Sequence, residues 1–199
     1  MKTIDCYQKR YLAHQARKAK VLYTNAFGKH DYKKYTKKEQ DAFFTILNNR
    51  SSQRTFNRET VDLQPILDAI DTAPSSCGRK GVFVKMVGDR DSKDLLSGLL
   101  VGGTGWVHRA DKLLLVIADM DAYKNPVERP NMPYLDAGVI IQTVYLACEA
   151  MNYGCCFINP NVRASNRDFF NERFGIKSNH LFCGVLAIGK FDLKHHNKL

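Results

Sequence analysis

Arg50, Ser51, Ser52 and Arg54 crowd into the segment 50-RSSQRTF-56, two guanidiniums set around two hydroxyls. A guanidinium presents a planar fork of donors that matches phosphate oxygens, and hydroxyls and local backbone N–H groups add further bonds. That is the chemistry an anionic cofactor tail requires. In an exposed loop the same residue types are commonplace, so the segment needs support from elsewhere in the chain. A second segment, 73-APSSCG-78, follows after one helix. Pro74 stops that helix, and Ser75 and Ser76 offer short side chains and free N–H groups against which a flat ligand could pack closely. No acid–base dyad stands out. His108, within 102-GGTGWVHRAD-111, reads as an exposed loop histidine rather than a proton donor. Asp136, near a helix start, reads as a cap or a first-turn partner of the helix dipole.

The elements that must carry these residues can be traced from apolar periodicity. The run 39-EQDAFFTIL-47 is helical and stops at Asn48-Asn49, which tolerate a left-handed C-cap. A second helix starts at Thr60 or Asp62, with Leu63, Ile66, Leu67 and Ile70 at helical spacing and Pro65 in its first turn. Strands are expected at 82-VFVKMVG-88 and 113-LLLVIAD-119, the latter buried on both faces, with a helix at 92-SKDLLSGLL-100 between them. The segment 135-LDAGVIIQTVYLACEAMNYG-154 is apolar nearly all the way round, which assigns it to the core or to a subunit interface. A strand at 155-CCFIN-159, a helix at 166-NRDFFNERFG-175 and a last strand at 180-HLFCGVLAIG-189 complete the order. Without regular βαβ alternation, the fold class is α+β around a mixed sheet.

The chain has 199 residues, 44% of them hydrophobic, enough for one ordinary domain and too few for two. No stretch approaches the roughly 18 apolar residues of a membrane span and no secretory apolar core is visible near residue 1, so a soluble, cytoplasmic protein is expected. The cysteines, at 6, 77, 148, 155, 156 and 183, form no C-x-x-C pair and no metal set. Free, mostly buried thiols are expected, and in a strand Cys155 and Cys156 would face opposite ways, which argues against a redox disulfide between them. The net charge is +10. Residues 1–38 hold eleven Lys and Arg against Asp5 and Asp31, or +9, which leaves +1 for the remainder. The chain therefore divides into a basic, helical extension, residues 1–38, and a nearly neutral body, residues 39–199. The extension's charges read first as a solvated helix face, ahead of a surface for RNA or an acidic partner.

Taken in order, an Arg-x-Ser-x-Arg-like segment, a helix, Ala-Pro-Ser-Ser, an apolar strand from Ala110 to Asp119 and the Asp-Ala-Gly start of a long helix containing a Gln resemble the nitroreductase family. The resemblance covers roughly residues 40–190. It implies a nitroreductase-like α+β fold with a mixed, mainly antiparallel sheet flanked by helices, and a long buried central helix at a homodimer interface. It further implies FMN as cofactor and NADH or NADPH as reductant. A nitroaromatic, quinone or other small-molecule electron acceptor would be reduced in alternation, by a ping-pong mechanism. Carried onto this chain, Arg50, Ser51, Ser52 and Arg54 would hold the FMN phosphate and ribityl chain. Pro74, Ser75 and Ser76 would approach the flavin from the other subunit. The turn of Asn159, Pro160 and Asn161 would border the ring, with the N–H of Asn161 towards flavin N5. Lys190 or Lys194 would supply the basic residue that this family places at the phosphate from near its C-terminus. No membrane partner is implied.

The chain departs from the family after Pro-Ser-Ser, where an Asn and then Gln-Pro-Trp are usual and 77-CGRKGVF-83 stands instead. Arg79 and Lys80 there could favour an anionic substrate or the phosphates of the nicotinamide dinucleotide. Two other readings remain beside the nitroreductase-like one. The first is a flavin enzyme specialised for one small metabolite. The second is a flavin-fold protein that binds RNA or an acidic partner through residues 1–38.

Overall fold

The computed structural model describes residues 2–21, 34–57 and 59–191, with side chains of the first helix described over residues 8–18. Lys194 lies outside the described residues. The chain forms two compact units, Met1–Gln40 and Asp41–Leu199. In the first, α1 runs over Lys2–Val21, and residues 8–18 are exposed throughout. Helix α2, Lys37–Asn49, starts there under a reciprocal cap: the N–H of Glu39 donates to Thr36 Oγ1 (3.3 Å), and the N–H of Thr36 donates to the Glu39 carboxylate (2.7 Å). Among the described residues no helix is long and apolar enough to cross a membrane.

The second unit is built on a four-stranded sheet in the order β1-β2-β4-β3, from β1 (Val82–Val87), β2 (Lys112–Asp119), β3 (Tyr153–Ile158) and β4 (His180–Lys190). All three pairings are antiparallel, so the sheet of the described residues is antiparallel rather than mixed. Helices α3 (Gln64–Thr72) and α5 (Met132–Ala150) cover one face; α4 (Arg90–Leu99) and α6 (Arg167–Phe174) serve the other. Because strand side chains alternate, β2 sends Leu114, Val116 and Ala118 to the α5 side and Leu113, Leu115 and Ile117 to the α4 and α6 side. All six are buried, as expected for a central strand covered on both faces.

On β4 the alternation is reset by a bulge, where Val116 pairs with Gly184 and Ile117 with Phe182. Cys183 and Leu186 consequently face α5, while Val185 and Ala187 face α4 and α6. Gly184 has φ +130°, and a Cβ there would collide with the Phe157 ring and the Ile158 carbonyl, so the bulge requires glycine. Apart from small shifts at the ends, the sequence-expected helices and strands are all present. Helix α6 ends on Gly175 in the left-handed conformation (φ +62°). Helix α3 lacks a side-chain N-cap, although Asp62 Oδ1 accepts the Gln64 N–H just before it.

Helix α5 explains its own composition only in part. Asp136, Ala137, Ile140, Val144 and Cys148 are buried against the sheet, whereas Tyr134, Leu135 and Val139 on the opposite face are 50%, 58% and 36% exposed. The helix is thus half covered within one chain. Among the described cysteines all are free: Cys77 is exposed, and Cys148, Cys155, Cys156 and Cys183 are buried.

Candidate cofactor site

The segment after α2 is laid along the edge of the sheet. The Gln53 N–H donates to the Cys155 carbonyl of β3 (2.9 Å), and Asn57 N–H to the Lys190 carbonyl (3.2 Å). Between them Phe56 is fully buried, bridges to Phe191, and rests on the main chain at Gly154 and Gly189, where a Cβ would crowd its ring. Gln53, also buried, donates to Ser51 Oγ (2.7 Å). These anchors turn Gln53 and Phe56 inward, and Ser51, Ser52 and Arg54 stay exposed with Arg50 half-buried at the helix end.

Two aromatic residues back the arginines. The Arg50 guanidinium lies 5.2 Å from the centre of the Tyr145 ring, and that of Arg54 lies 5.9 Å from the Trp106 ring, which stacks on Phe56. The Tyr145 hydroxyl accepts the Phe157 N–H (2.7 Å) and pairs with Ser52 Oγ (3.1 Å). Burial raises the tyrosine above its ordinary pKa, against the opposing influence of these two bonds. Cys156 closes the floor of this region. Burial pushes its thiol up, opposed by the Arg54 charge. Sequence reasoning missed both aromatics, because Tyr145 passed for one more apolar residue of α5. Trp106, the one tryptophan of the chain, was the available signal.

The second segment has a different economy of bonds. Ser76 gives both its N–H (2.9 Å) and its hydroxyl (2.8 Å) to Asp136 Oδ1, and the Tyr123 hydroxyl donates to Oδ2 (2.7 Å). Ser76 therefore does not offer a free N–H. Asp136 is neither a cap nor a first-turn dipole partner: it is a buried acceptor that fixes this segment to α5. Ser75 Oγ accepts the Lys80 N–H (2.9 Å). Arg79 is ion-paired with Glu128 at 2.7 Å, and Lys80 Nζ donates to the carbonyls of Asp71 and Ala73 (2.8 Å each), ending α3. The two basic residues expected to select an anionic substrate are thus engaged within the chain. Cys77 and Lys80 adopt positive φ (+53° and +51°), so the turn is a tight one. Beside it, Pro74, Ser75, Lys80 and Asp136 border a cavity of about 540 Å³ whose other walls include Leu67, Ile70, Val82 and Ile140.

The third element is the turn after β3. The Asn161 N–H, expected to face the flavin, donates instead to the Asn159 carbonyl across Pro160 (2.8 Å), while the Asn161 carbonyl accepts the Val101 N–H (3.0 Å). His108 is half-buried rather than exposed and lines a different cleft, with Arg90, Lys93 and Arg109. Within one chain, Arg50, Ser52 and Tyr145 meet at the middle of α5, whereas Ser76 meets Asp136 near its start. The separation of nine positions along α5 corresponds to about 14 Å of helix.

The outward arginines, hydroxyls and aromatic backing form a donor set suited to a phosphate-bearing aromatic cofactor. Comparison with known proteins agrees with this chemistry. Residues 101–190 match the model of the nitroreductase family, a stretch that excludes the 50–56 segment. The chain is 30% identical over 125 residues to FMN reductase [NAD(P)H] of Bacillus subtilis, covering 54% of this chain and 50% of that protein. It thus spans half the length of that curated relative. An FMN-dependent nitroreductase from Clostridium difficile superposes with a TM-score of 0.65 at 24% identity, covering 75% of this chain and 87% of the other. Nitroreductase A from Vibrio parahaemolyticus does so with a TM-score of 0.66 at 24% identity, covering 76% and 67%.

Proposed function

We propose, from the premise that this chain belongs to the nitroreductase family through residues 101–190 and the fold around them, that it is an FMN-dependent oxidoreductase using NADH or NADPH. The observation that carries the reading is the outward pair Arg50 and Arg54 on an edge segment anchored by Gln53 and Phe56. When bound, FMN supplies the hydride chemistry, taking a hydride from the nicotinamide and passing it to a small electron acceptor such as a nitroaromatic or quinone. The residues of this chain bind and orient. Arg50 and Arg54 neutralise the phosphate, Ser51 and Ser52 complete its hydrogen bonds, and Tyr145 holds Ser52 in place. Trp106 keeps the Arg54 guanidinium over its face and so fixes the fork's direction. The turn of Asn159, Pro160 and Asn161 borders the ring, and a single site serving reductant and acceptor in alternation gives the ping-pong order.

A homodimer belongs to the same proposal. The exposed Tyr134, Leu135 and Val139 give α5 an apolar face for a second copy, which would bring its Pro74, Ser75 and Ser76 against the ring. With the donors of Ser76 turned to Asp136, that contact is one of close packing rather than hydrogen bonding.

Titration of the full chain with FMN, followed by quenching of flavin fluorescence, tests the reading. Arg50→Ala and Arg54→Ala should each weaken FMN by about ten- to a hundredfold, as loss of a charge-assisted bond implies, with unchanged thermal midpoints. Bound FMN should bleach on addition of NADH or NADPH. Failure to take up FMN, or affinity in both variants equal to that of the unmodified chain, would overturn it.

A further inference from the structure

On the α4 side of the sheet, a cleft of about 410 Å³ opens between the first turns of α4 and the residues leading into β2. Its lining is almost wholly polar and charged: Arg90, Lys93 and Asp94 from α4, and His108, Arg109 and Asp111 from the opposite wall. None of these belongs to the 50–56 or 73–80 segments. We propose that this cleft binds a phosphate dianion, either free phosphate or the phosphate monoester of a small metabolite.

The argument is an inventory of donors and acceptors. The acidic residues of the lining each have a partner within the chain. Asp111 Oδ2 accepts the Val61 N–H (3.0 Å) and Oδ1 faces Lys112 Nζ (3.1 Å), while Asp94 is 4.0 Å from Arg90. The donors are not used up. Arg109 Nε is buried without a hydrogen-bond partner, a state that costs about 1–3 kcal/mol unless something accepts from it. Lys93 Nζ gives two bonds, to the carbonyls of Ala110 (2.7 Å) and Asp111 (3.1 Å), which hold its charge in the cleft and leave its third proton. The Arg90 side chain is 92% exposed and held only by an ion pair with Asp94 at 4.0 Å, which a more highly charged anion at the mouth can displace. Burial draws the Lys93 ammonium below its ordinary range, with Asp111 opposing, so an anion placed beside it would relieve the strain on its charge. Arg90, Lys93 and Arg109 reach the cleft from two walls and, with Lys112 set against Asp111, outnumber the carboxylates of Asp94 and Asp111, which suits a doubly charged tetrahedral anion better than a single carboxylate.

Calorimetric titration of the full chain with inorganic phosphate and with glucose 6-phosphate, at ionic strength fixed by sodium chloride, tests the proposal. Saturable binding is expected, weakened about tenfold or more by Arg109→Gln and about threefold by Arg90→Ala, and it should persist in Arg54→Ala, which removes phosphate held by the outward arginines of the 50–56 segment. Tighter binding of the sugar phosphate would identify a metabolite, and equal binding would identify free phosphate. Arg90 is at the surface, so its variant reads the site even if Arg109→Gln does not fold. Absence of saturable binding, affinity in both cleft variants equal to that of the unmodified chain, or loss of all saturable binding in Arg54→Ala would overturn it.

Discussion

Two short segments of this chain have nearly the same chemical alphabet and use it in opposite directions. In 50-RSSQRTF-56 the glutamine and phenylalanine turn inward and make the anchoring contacts, so Arg50, Ser51, Ser52 and Arg54 face out. In 75-SSCGRK-80 the serines and both basic residues are the anchors: Ser76 binds Asp136, Arg79 pairs with Glu128, and Lys80 ends α3. Residue type sets what a segment can bind, and the partners already in place decide whether it does. The first segment is arranged for a ligand; the second shapes a wall.

The comparison breaks first at Asp136. Asp136→Ala strips the acceptor from three donors at once, the Ser76 N–H, the Ser76 hydroxyl and the Tyr123 hydroxyl, and should cost about 3–5 kcal/mol in urea unfolding. Asp136→Asn keeps the shape and one acceptor oxygen and should cost clearly less. If the alanine variant loses under about 1 kcal/mol, the second segment is not held by this carboxylate.

A smaller effect separates the basic residues of the two segments. Lys80→Ala uncovers two carbonyls at the end of α3 and should lower stability by about 1 kcal/mol, whereas Arg54→Ala, on an exposed edge, should change it by less than about 0.5 kcal/mol. Turnover should show the reverse order. Arg79→Ala and Lys80→Ala should alter acidic and neutral acceptors equally, because both side chains already hold partners within the chain. A selective loss with acidic acceptors would place one of them in the binding site after all.

Much of this arrangement was legible in the sequence, for physical reasons that differ by element. The strands and α6 follow from periodicity and a terminal Gly175, which are local signals. The apolar wrap of α5 announced two buried faces, although only one is covered within the chain. What could not be read was long-range pairing. Asp136 meets Ser76 across 60 positions and Tyr145 meets Ser52 across 93, and nothing local to either residue encodes the encounter. The same limit explains Arg79 and Lys80, whose charges looked free because their acceptors lie at Glu128 and on main-chain carbonyls. The Asn161 N–H was lost to a different cause, a turn closed across Pro160 onto Asn159.

The last prediction probes the inward segment by pH. Burial first, and then the bond to Asp136, raise the Tyr123 hydroxyl above its ordinary pKa. A group whose folded pKa exceeds the unfolded value holds its proton more tightly when folded. Its contribution is complete below the unfolded tyrosine value of about 10 and is lost as pH rises above that. Unfolding free energy should therefore fall on the alkaline side of pH 10, as the phenolate would face the Asp136 carboxylate. Tyr123→Phe should lower stability by about 1 kcal/mol at neutral pH, since it removes one bond to a buried acceptor, and should flatten the alkaline slope. Arg54→Ala should leave that slope as it is in the unmodified chain, because no member of the outward segment takes part in the Asp136 network. An equal alkaline slope in Tyr123→Phe would mean that some other group drives the loss, and that the inward segment is held by packing around Tyr123 more than by its hydroxyl.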